Sequence, residues 1–391
     1  MILEERYPPD IRIDKEASAL IRQGHEVHLL CVYGKDQELA REVIQNIIVH
    51  RFDTPKGIMS KWNRGIRKLS FIDPIWYTTI LKLAKEEKID AVHVHDLPLG
   101  KTGLSCGKRL GIPVIADLHE NYPVASKLWL LRWTWRDRIF NSTRRWRRHE
   151  KHILKQIDRI IVVVDEAKQR LVKEYGIEEN KISVISNTVD LESLRDISEF
   201  KSNKSKAGEF IISYVGSIST HRGIDTAVAT MKNVIKSVPM ARLILVGGRG
   251  RIAEKIKKQI DAEDMKDYIE MVGWVSQKTA LQYMVECDVG LIPHKRNEHT
   301  DSTVPHKLFQ YMGMGKPVIV SDCPPLKRIV EEYQCGLVFE AGNSEALVEC
   351  ILSVYRNDDN YGKNGKRAVY EKYNWQRDSK TLLELYNDLK A

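Results

Sequence analysis

No run of 18 apolar residues occurs in this 391-residue chain, so no segment is expected to cross a bilayer. The opening Met1-Ile-Leu-Glu-Glu-Arg6 has no apolar stretch of the kind a signal peptide carries, which points to a cytoplasmic protein. The six cysteines form no Cys-x-x-Cys pair, which speaks against a disulfide framework or a zinc site and for reduced thiols. Without export, Asn141-Ser-Thr143 has no occasion to act as a glycosylation acceptor. No group of His, Asp and Glu shows metal-ligand spacing, so neither metal nor cofactor is expected. What is present is globular in kind: 42% hydrophobic and 29% charged residues, and enough length for two domains with separate cores.

Strand-like and helix-like segments alternate throughout, the pattern of α/β layers with parallel sheets. In the first half, strands are expected at 25–33, 47–52, 91–95, 114–117, 160–164 and 182–185, with helices at 17–23 and 75–88. The start is an anomaly, since only Met1-Ile2-Leu3 precede the polar Glu4-Glu5-Arg6. Either the first strand is short or the reading frame begins further upstream, and the second is preferred. Residues 198–208 are polar and aperiodic and read as a connection. Strands at 210–215, 243–246, 269–272, 289–292, 318–320 and 336–339 then alternate with helices, one of them capped by Ser276. The expected organisation is a Rossmann-like domain 1–192, a linker 193–208, a second such domain 209–372 and a helix 373–391 returning to the first.

The most informative segment is Ser302-Thr-Val-Pro305-His-Lys307-Leu-Phe-Gln310-Tyr-Met-Gly313-Met-Gly315-Lys-Pro317-Val-Ile-Val-Ser-Asp322. Pro305 suits a first helical turn, Ser302 and Thr303 offer capping oxygens, and Gly313 and Gly315 can end the helix with φ > 0. A helix that starts in a hydroxyl-rich loop presents free N–H groups and a positive dipole end to a phosphate. Lys307 and Gln310, three apart, share one face. A cation and an amide beside an anion site suit a phosphorylated ligand bearing hydroxyls, that is, a nucleotide sugar.

This segment resembles the donor motif of the retaining glycosyltransferases of family 4, and the resemblance runs over nearly the whole chain. It implies the GT-B fold: two Rossmann-like domains with parallel sheets facing an interdomain cleft, the first for the acceptor and the second for the donor. It also places Thr303 and Val304 at the donor. The family usually carries Glu where this chain has Ser302 and Gln310, so both carboxylates are absent. Gln310 offers one acceptor and one donor group where a carboxylate could accept from both ribose hydroxyls.

Tyr214-Val-Gly216-Ser217 to Arg222-Gly223 reads as a strand, a glycine turn and a helix start, at the strand end where α/β ligands bind. Gly216 admits close backbone approach, and the Arg222 fork can bridge phosphate oxygens. By resemblance Ser217 replaces one family cation and Arg222 keeps the other. Trp274 and Val275, after the third strand of this half, stand where the family seats the nucleobase, although a lone Trp at a strand end packs more often than it stacks. Resemblance puts 294–300 near the sugar ring. Gly248-Arg-Gly250-Arg-Ile-Ala253 fits the dinucleotide fingerprint, but it follows the second strand of its unit, so a dehydrogenase is set aside. In the first half, Val92–Asp96 and Ile115–Pro123 each end an apolar strand in polar residues, expected to point into a cleft. The second run is similar to the family's Asp-x-His-Glu segment, which makes His119 the catalytic candidate. His95, Asp96 and Glu120 are candidates for acceptor contact or support of His119.

Charge is unevenly placed. Residues 126–155 hold ten Lys/Arg and two acids, close to the net +9 of the whole chain, together with four of its eight tryptophans, Trp129, Trp133, Trp135 and Trp146. Trp with Arg favours the membrane–water interface, so an anionic membrane surface is the expected partner, and no nucleic acid. The sequence reading is therefore a metal-independent glycosyltransferase, peripheral on the inner face of the membrane. It would move a sugar from a UDP- or GDP-type donor to a lipid-linked or cell-surface glycan. A GT-B epimerase and an inactive nucleotide- or glycan-binding subunit are the alternatives, the second suggested by Ser302 and Gln310.

Overall fold

The computed structural model describes residues 1–33, 39–53, 57–129, 140–198, 208–357 and 360–389. Trp133, Trp135, the side chain of Trp129 and most of the expected linker lie outside the described residues. The chain divides into two compact units, Met1–Ser186 with Asp378–Ala391, and Asn187–Arg377.

The first unit is an eight-stranded sheet: β1 Ile2–Arg6, β2 His28–Val32, β3 Arg41–Ile44, β4 Ile47–Phe52, β5 Val92–His95, β6 Val114–Leu118, β7 Arg159–Val162 and β8 Ile182–Val184. Its order is β3-β4-β2-β1-β5-β6-β7-β8, and β3 alone runs antiparallel. The first strand is thus formed by Ile2–Arg6 and sits centrally, paired with β2 and β5. β5 and β6 are buried along their whole length, as strands covered by helices on both faces must be. Asp73 caps the helix Pro74–Glu87 by accepting from Ile75 and Trp76 N–H, with Pro74 supplying a preset first turn. In the C-terminal helix, Tyr386 Oη lies 2.8 Å from His93 Nδ1 of β5.

The second unit carries β9 Phe210–Val215, β10 Ala241–Val246, β11 Ile269–Gly273, β12 Val289–Ile292, β13 Val318–Ser321 and β14 Gly336–Phe339. These are all parallel, in the order β11-β10-β9-β12-β13-β14. That is the doubly wound arrangement, whose switch point lies between β9 and β12. Ser276 caps its helix as expected, accepting from Thr279 N–H at 3.2 Å. The helix His306–Gly313 is anchored by Leu308, Phe309, Tyr311 and Met312, all fully buried, each worth roughly 1.5–3 kcal/mol. Tyr311 Oη donates to Ser213 O of β9 at 2.9 Å, which fixes the helix over the centre of the sheet.

Two local expectations are corrected. Pro305 is the N-cap rather than the first helical residue, and Ser302 is not the capping side chain. Ser302 Oγ instead donates to Glu298 O at 2.7 Å, because residues 300–302 form their own 3₁₀ turn. Gly313 is a helical residue with no positive φ, and only Gly315, at φ 70°, supplies the left-handed position.

Candidate functional site

In the second unit, two loops meet at the switch point. Lys295 N–H, after β12, donates to His221 O, after β9, at 2.9 Å. Gly223, at φ 67°, has no room for a Cβ, which would lie 1.7 Å from Pro293 O. Gly216, at φ 135°, has the same role toward the helix His306–Gly313, since a Cβ there would stand 2.7 Å from Lys307 Nζ. The lysine amine is consequently laid along the chain just after β9. It lies 3.6 Å from the centre of the Tyr214 ring.

Lys307 is buried, and its amine has no hydrogen-bond acceptor among the described residues. Burial, and then the charge of Arg222, hold its pKa well below the usual lysine value. Arg222 Nη1 donates to His294 Nε2 at 3.0 Å, while its Nε has no acceptor among the described residues. Three buried histidines complete the group. Burial first, and then the neighbouring cations, lower His294 far below its ordinary pKa, His221 to about 3 and His299 to about 4. Every one of these causes is either desolvation or a like charge. A buried amine beside a half-buried guanidinium suits an anion, because an unpaired buried cation is costly until a counter-charge arrives.

Gln310 is half-buried on the Lys307 face, Val304 is buried, and Thr303 is extended. Ser302, its hydroxyl spent on loop carbonyls, is not drawn into the cation group. Trp274 stands 66% exposed at the end of β11, with the Arg249 guanidinium 4.5 Å over its ring and Val275 half-buried beside it. His221 and His299 were not singled out from the sequence. The only signal was their place in the two loops that flank the switch point.

The first unit gathers a different cluster. His119 Nε2 lies 2.7 Å from Asp117 Oδ2, and His95 Nδ1 lies 3.1 Å from the same oxygen. His93 and Glu16 border them, with the His93 and His95 rings stacked at 4.5 Å. All five are buried, His95 and Asp117 at 1% and 0% exposure, although the sequence reading points them into a cleft. Burial opposes charge at every one. It raises Glu16 well above the usual carboxyl value, reinforced by Asp117, and lowers His93 to about 4. Asp117 escapes that trend. Burial alone would raise it, but His119 holds it well below the carboxylate range, and Asp117 in turn raises His119 against its own burial. The pair is an internal ion pair. Glu16 came from the first helix and was not legible in sequence.

Glu16, His95, Asp117 and His119 also place ligand atoms within 4.8 Å of one another, as do His28, His50 and Glu87. The fold therefore brings together donor sets that sequence spacing did not announce. Asp96, at φ 66°, pairs with Arg12 at 3.6 Å. Glu120 is half-buried at the head of the next loop. Trp146, counted among the interfacial tryptophans, is only 8% exposed and packs edge-on against Phe71 and Tyr122.

Two doubly wound units define the GT-B class of proteins. The family described as Glycosyltransferase Family 4 matches residues 12–193, and that described as Glycosyl transferases group 1 matches 196–374. The chain belongs to the family-4-like GT-B glycosyltransferases. A phosphatidyl-myo-inositol mannosyltransferase of Mycobacterium leprae is 21% identical over 95% of this chain and 90% of its own. A UDP-Gal:alpha-D-GlcNAc-diphosphoundecaprenol alpha-1,3-galactosyltransferase of Escherichia coli is 23% identical over 80% and 78%. An uncharacterized glycosyltransferase of Methanocaldococcus jannaschii is 21% identical over 61% of this chain, which spans 60% of that relative's length. Among solved structures, the sucrose-phosphate synthase of Thermosynechococcus elongatus superposes with a TM-score of 0.77 at 19% identity, covering 97% of this chain and 92% of that one. HepE of Anabaena in complex with UDP-glucose gives 0.74 at 15%, covering 99% and 98%.

Proposed function

We propose that the protein is a retaining glycosyltransferase that transfers a sugar from a UDP- or GDP-sugar to a lipid-linked or cell-surface glycan acceptor. The observation that carries this reading is the burial of the Lys307 amine at the switch point of the second unit, with the half-buried Arg222 near it and no carboxylate paired with either among the described residues. A nucleoside diphosphate supplies the missing charge. As the bond between the sugar's anomeric carbon and the phosphate oxygen breaks, negative charge grows on that oxygen, and Arg222 and Lys307 stabilise it. The acceptor hydroxyl attacks from the same face, and the leaving phosphate takes its proton. His119 holds a sugar hydroxyl, fixed in orientation by Asp117. Trp274 and Val275 flank the base, and Gln310 meets the ribose. The relatives whose printed names include lipid-borne acceptors support the acceptor class.

A thermal-shift panel of nucleoside diphosphates and their sugars tests this. UDP or GDP is expected to stabilise the protein, and Arg222→Ala to weaken that binding about ten- to hundredfold. The loss matches one charge-assisted contact of roughly 1.5–3 kcal/mol. Wild-type affinity in Arg222→Ala removes that residue from the donor site. Transfer is expected to persist in EDTA, since these cations replace a metal at the diphosphate. Donor consumed without acceptor would mark an epimerase instead, and binding without turnover would mark a binding subunit.

A further inference from the structure

The helix Gly57–Ser70 is mounted inside out. Ile58, Met59, Trp62, Ile66 and Leu69 are 73%, 66%, 70%, 40% and 71% exposed, and no residue of the helix is buried. At about 100° per residue these five fall on one arc of roughly 100°, an apolar stripe that an ordinary surface helix turns toward the core. Here the core-facing arc is polar. Asn63 Nδ2 donates to Asp73 Oδ2 at 2.9 Å, and Arg67 donates to Glu4 at 2.7 Å and lies 3.6 Å from Asp73. Ionic contacts thus hold the helix on the domain and leave its apolar face outward. Contiguous apolar patches of this kind mark interaction sites.

The charge around the stripe identifies the occupant. Lys61, Arg64 and Lys68 occupy the remaining arc, and the helix contains no acidic residue. Arg145 ties a second basic element to the same end. It donates to Leu69 O at 3.1 Å and to Lys68 O, and lies 3.9 Å over the Phe71 ring. It belongs to the helix Thr143–Leu154, on which Arg144 and Arg148 are exposed. An apolar stripe with Trp62 at its middle, flanked by lysines whose stems reach past it, matches a bilayer interface with anionic headgroups. We propose that this helix docks the protein on an anionic lipid bilayer, with Ile58, Met59, Trp62, Ile66 and Leu69 entering the acyl boundary.

The test uses the full chain and vesicles of mixed phosphatidylcholine and phosphatidylglycerol, against phosphatidylcholine alone. It needs neither nucleotide nor sugar, so its outcome is independent of the proposed activity. The wild-type chain is expected to co-sediment with the anionic vesicles. Ile58→Ser/Trp62→Ser/Leu69→Ser is expected to lose at least about tenfold in binding at every salt concentration, because insertion is weakly screened. Lys61→Gln/Lys68→Gln should lose binding mainly at low salt. None of these side chains is packed, so the variants are expected to keep the wild-type circular dichroism. Trp62→Phe should still bind but lose the fluorescence quenching that brominated acyl chains cause in the wild type. A folded stripe variant that sediments like wild type overturns the proposal. So does a wild-type chain that ignores vesicles and self-associates through the stripe, which would assign the face to a second copy.

Discussion

Lys307→Met is expected to stabilise the ligand-free protein by about 1–3 kcal/mol and at the same time abolish its stabilisation by UDP or GDP. The two effects have opposite signs and one cause. The amine is buried over the Tyr214 ring with no acceptor among the described residues, and Arg222 repels it. A cation over an aromatic face returns up to about 2 kcal/mol, less than burial of an unpaired ammonium costs. Methionine keeps the unbranched stem and drops the charge. The pH dependence follows from the direction of the shift. Lys307 in the folded state sits well below its ordinary value of 10.5, so the unfolded chain binds more protons between those two values. Wild-type stability therefore gains with rising pH across that window, and the methionine variant lacks that contribution. A bound diphosphate reverses the bias by favouring the ammonium, so the gain from nucleotide falls as pH rises. Urea unfolding of both proteins at neutral and alkaline pH, with and without UDP, measures all of this. A methionine variant that is less stable alone yet still stabilised by nucleotide would make Lys307 a packing residue.

Lys307 and Arg222 were legible because each sits in a short segment whose spacing has a direct structural meaning. Arg222 follows a strand and a glycine turn, and Lys307 opens a helix after a proline. Their burial was not legible, since it depends on Gly216 withholding a Cβ and on Tyr214 lying beneath the amine. The cluster around Asp117 was harder still. Glu16, His93, His95, Asp117 and His119 come from three elements that become neighbours only through the β1-β5-β6 strand order. Apolar periodicity finds the strand that carries Asp117 but says nothing of the helix residue packed across from it. The helix Gly57–Ser70 shows the converse limit. Its apolar period is plain in the sequence, and the usual inference would bury that face. The face that binds the domain is instead chosen by Glu4 and Asp73, which meet Arg67 and Asn63 only in the fold. Trp146 failed as an interfacial residue for a similar reason, being covered by Phe71 from a distant part of the chain.

His119→Ala is expected to lower kcat for sugar transfer about 10²- to 10⁴-fold while leaving UDP affinity unchanged, because the cation group proposed to hold the diphosphate belongs to the other unit. A loss confined to turnover distinguishes a group that meets the reacting sugar from one that merely supports the fold. Asp117→Asn separates His119's presence from its charge. In the wild type, burial alone would discharge His119, and the Asp117 carboxylate 2.7 Å away raises its pKa above the ordinary 6.5. That imidazolium contributes stability below pH 6.5, lost as pH climbs through the raised value. Asp117, depressed, contributes above its ordinary 3.8, lost as pH falls through its folded value. The internal ion pair is therefore favoured between the two folded-state values, the depressed one of Asp117 and the raised one of His119. With asparagine at 117, burial and the nearby Arg12 charge are opposed only by Asp96, the weakest of these influences on His119, so its pKa is expected to fall. The pH profile of kcat/KM in Asp117→Asn is accordingly expected to lose its alkaline limb to lower pH, with kcat reduced and donor KM little changed. That displacement is a readout that a purely structural Asp117 would not move. An unshifted profile, or parallel loss of UDP binding and turnover in His119→Ala, would place both residues in the scaffold and leave the chemistry to the second unit.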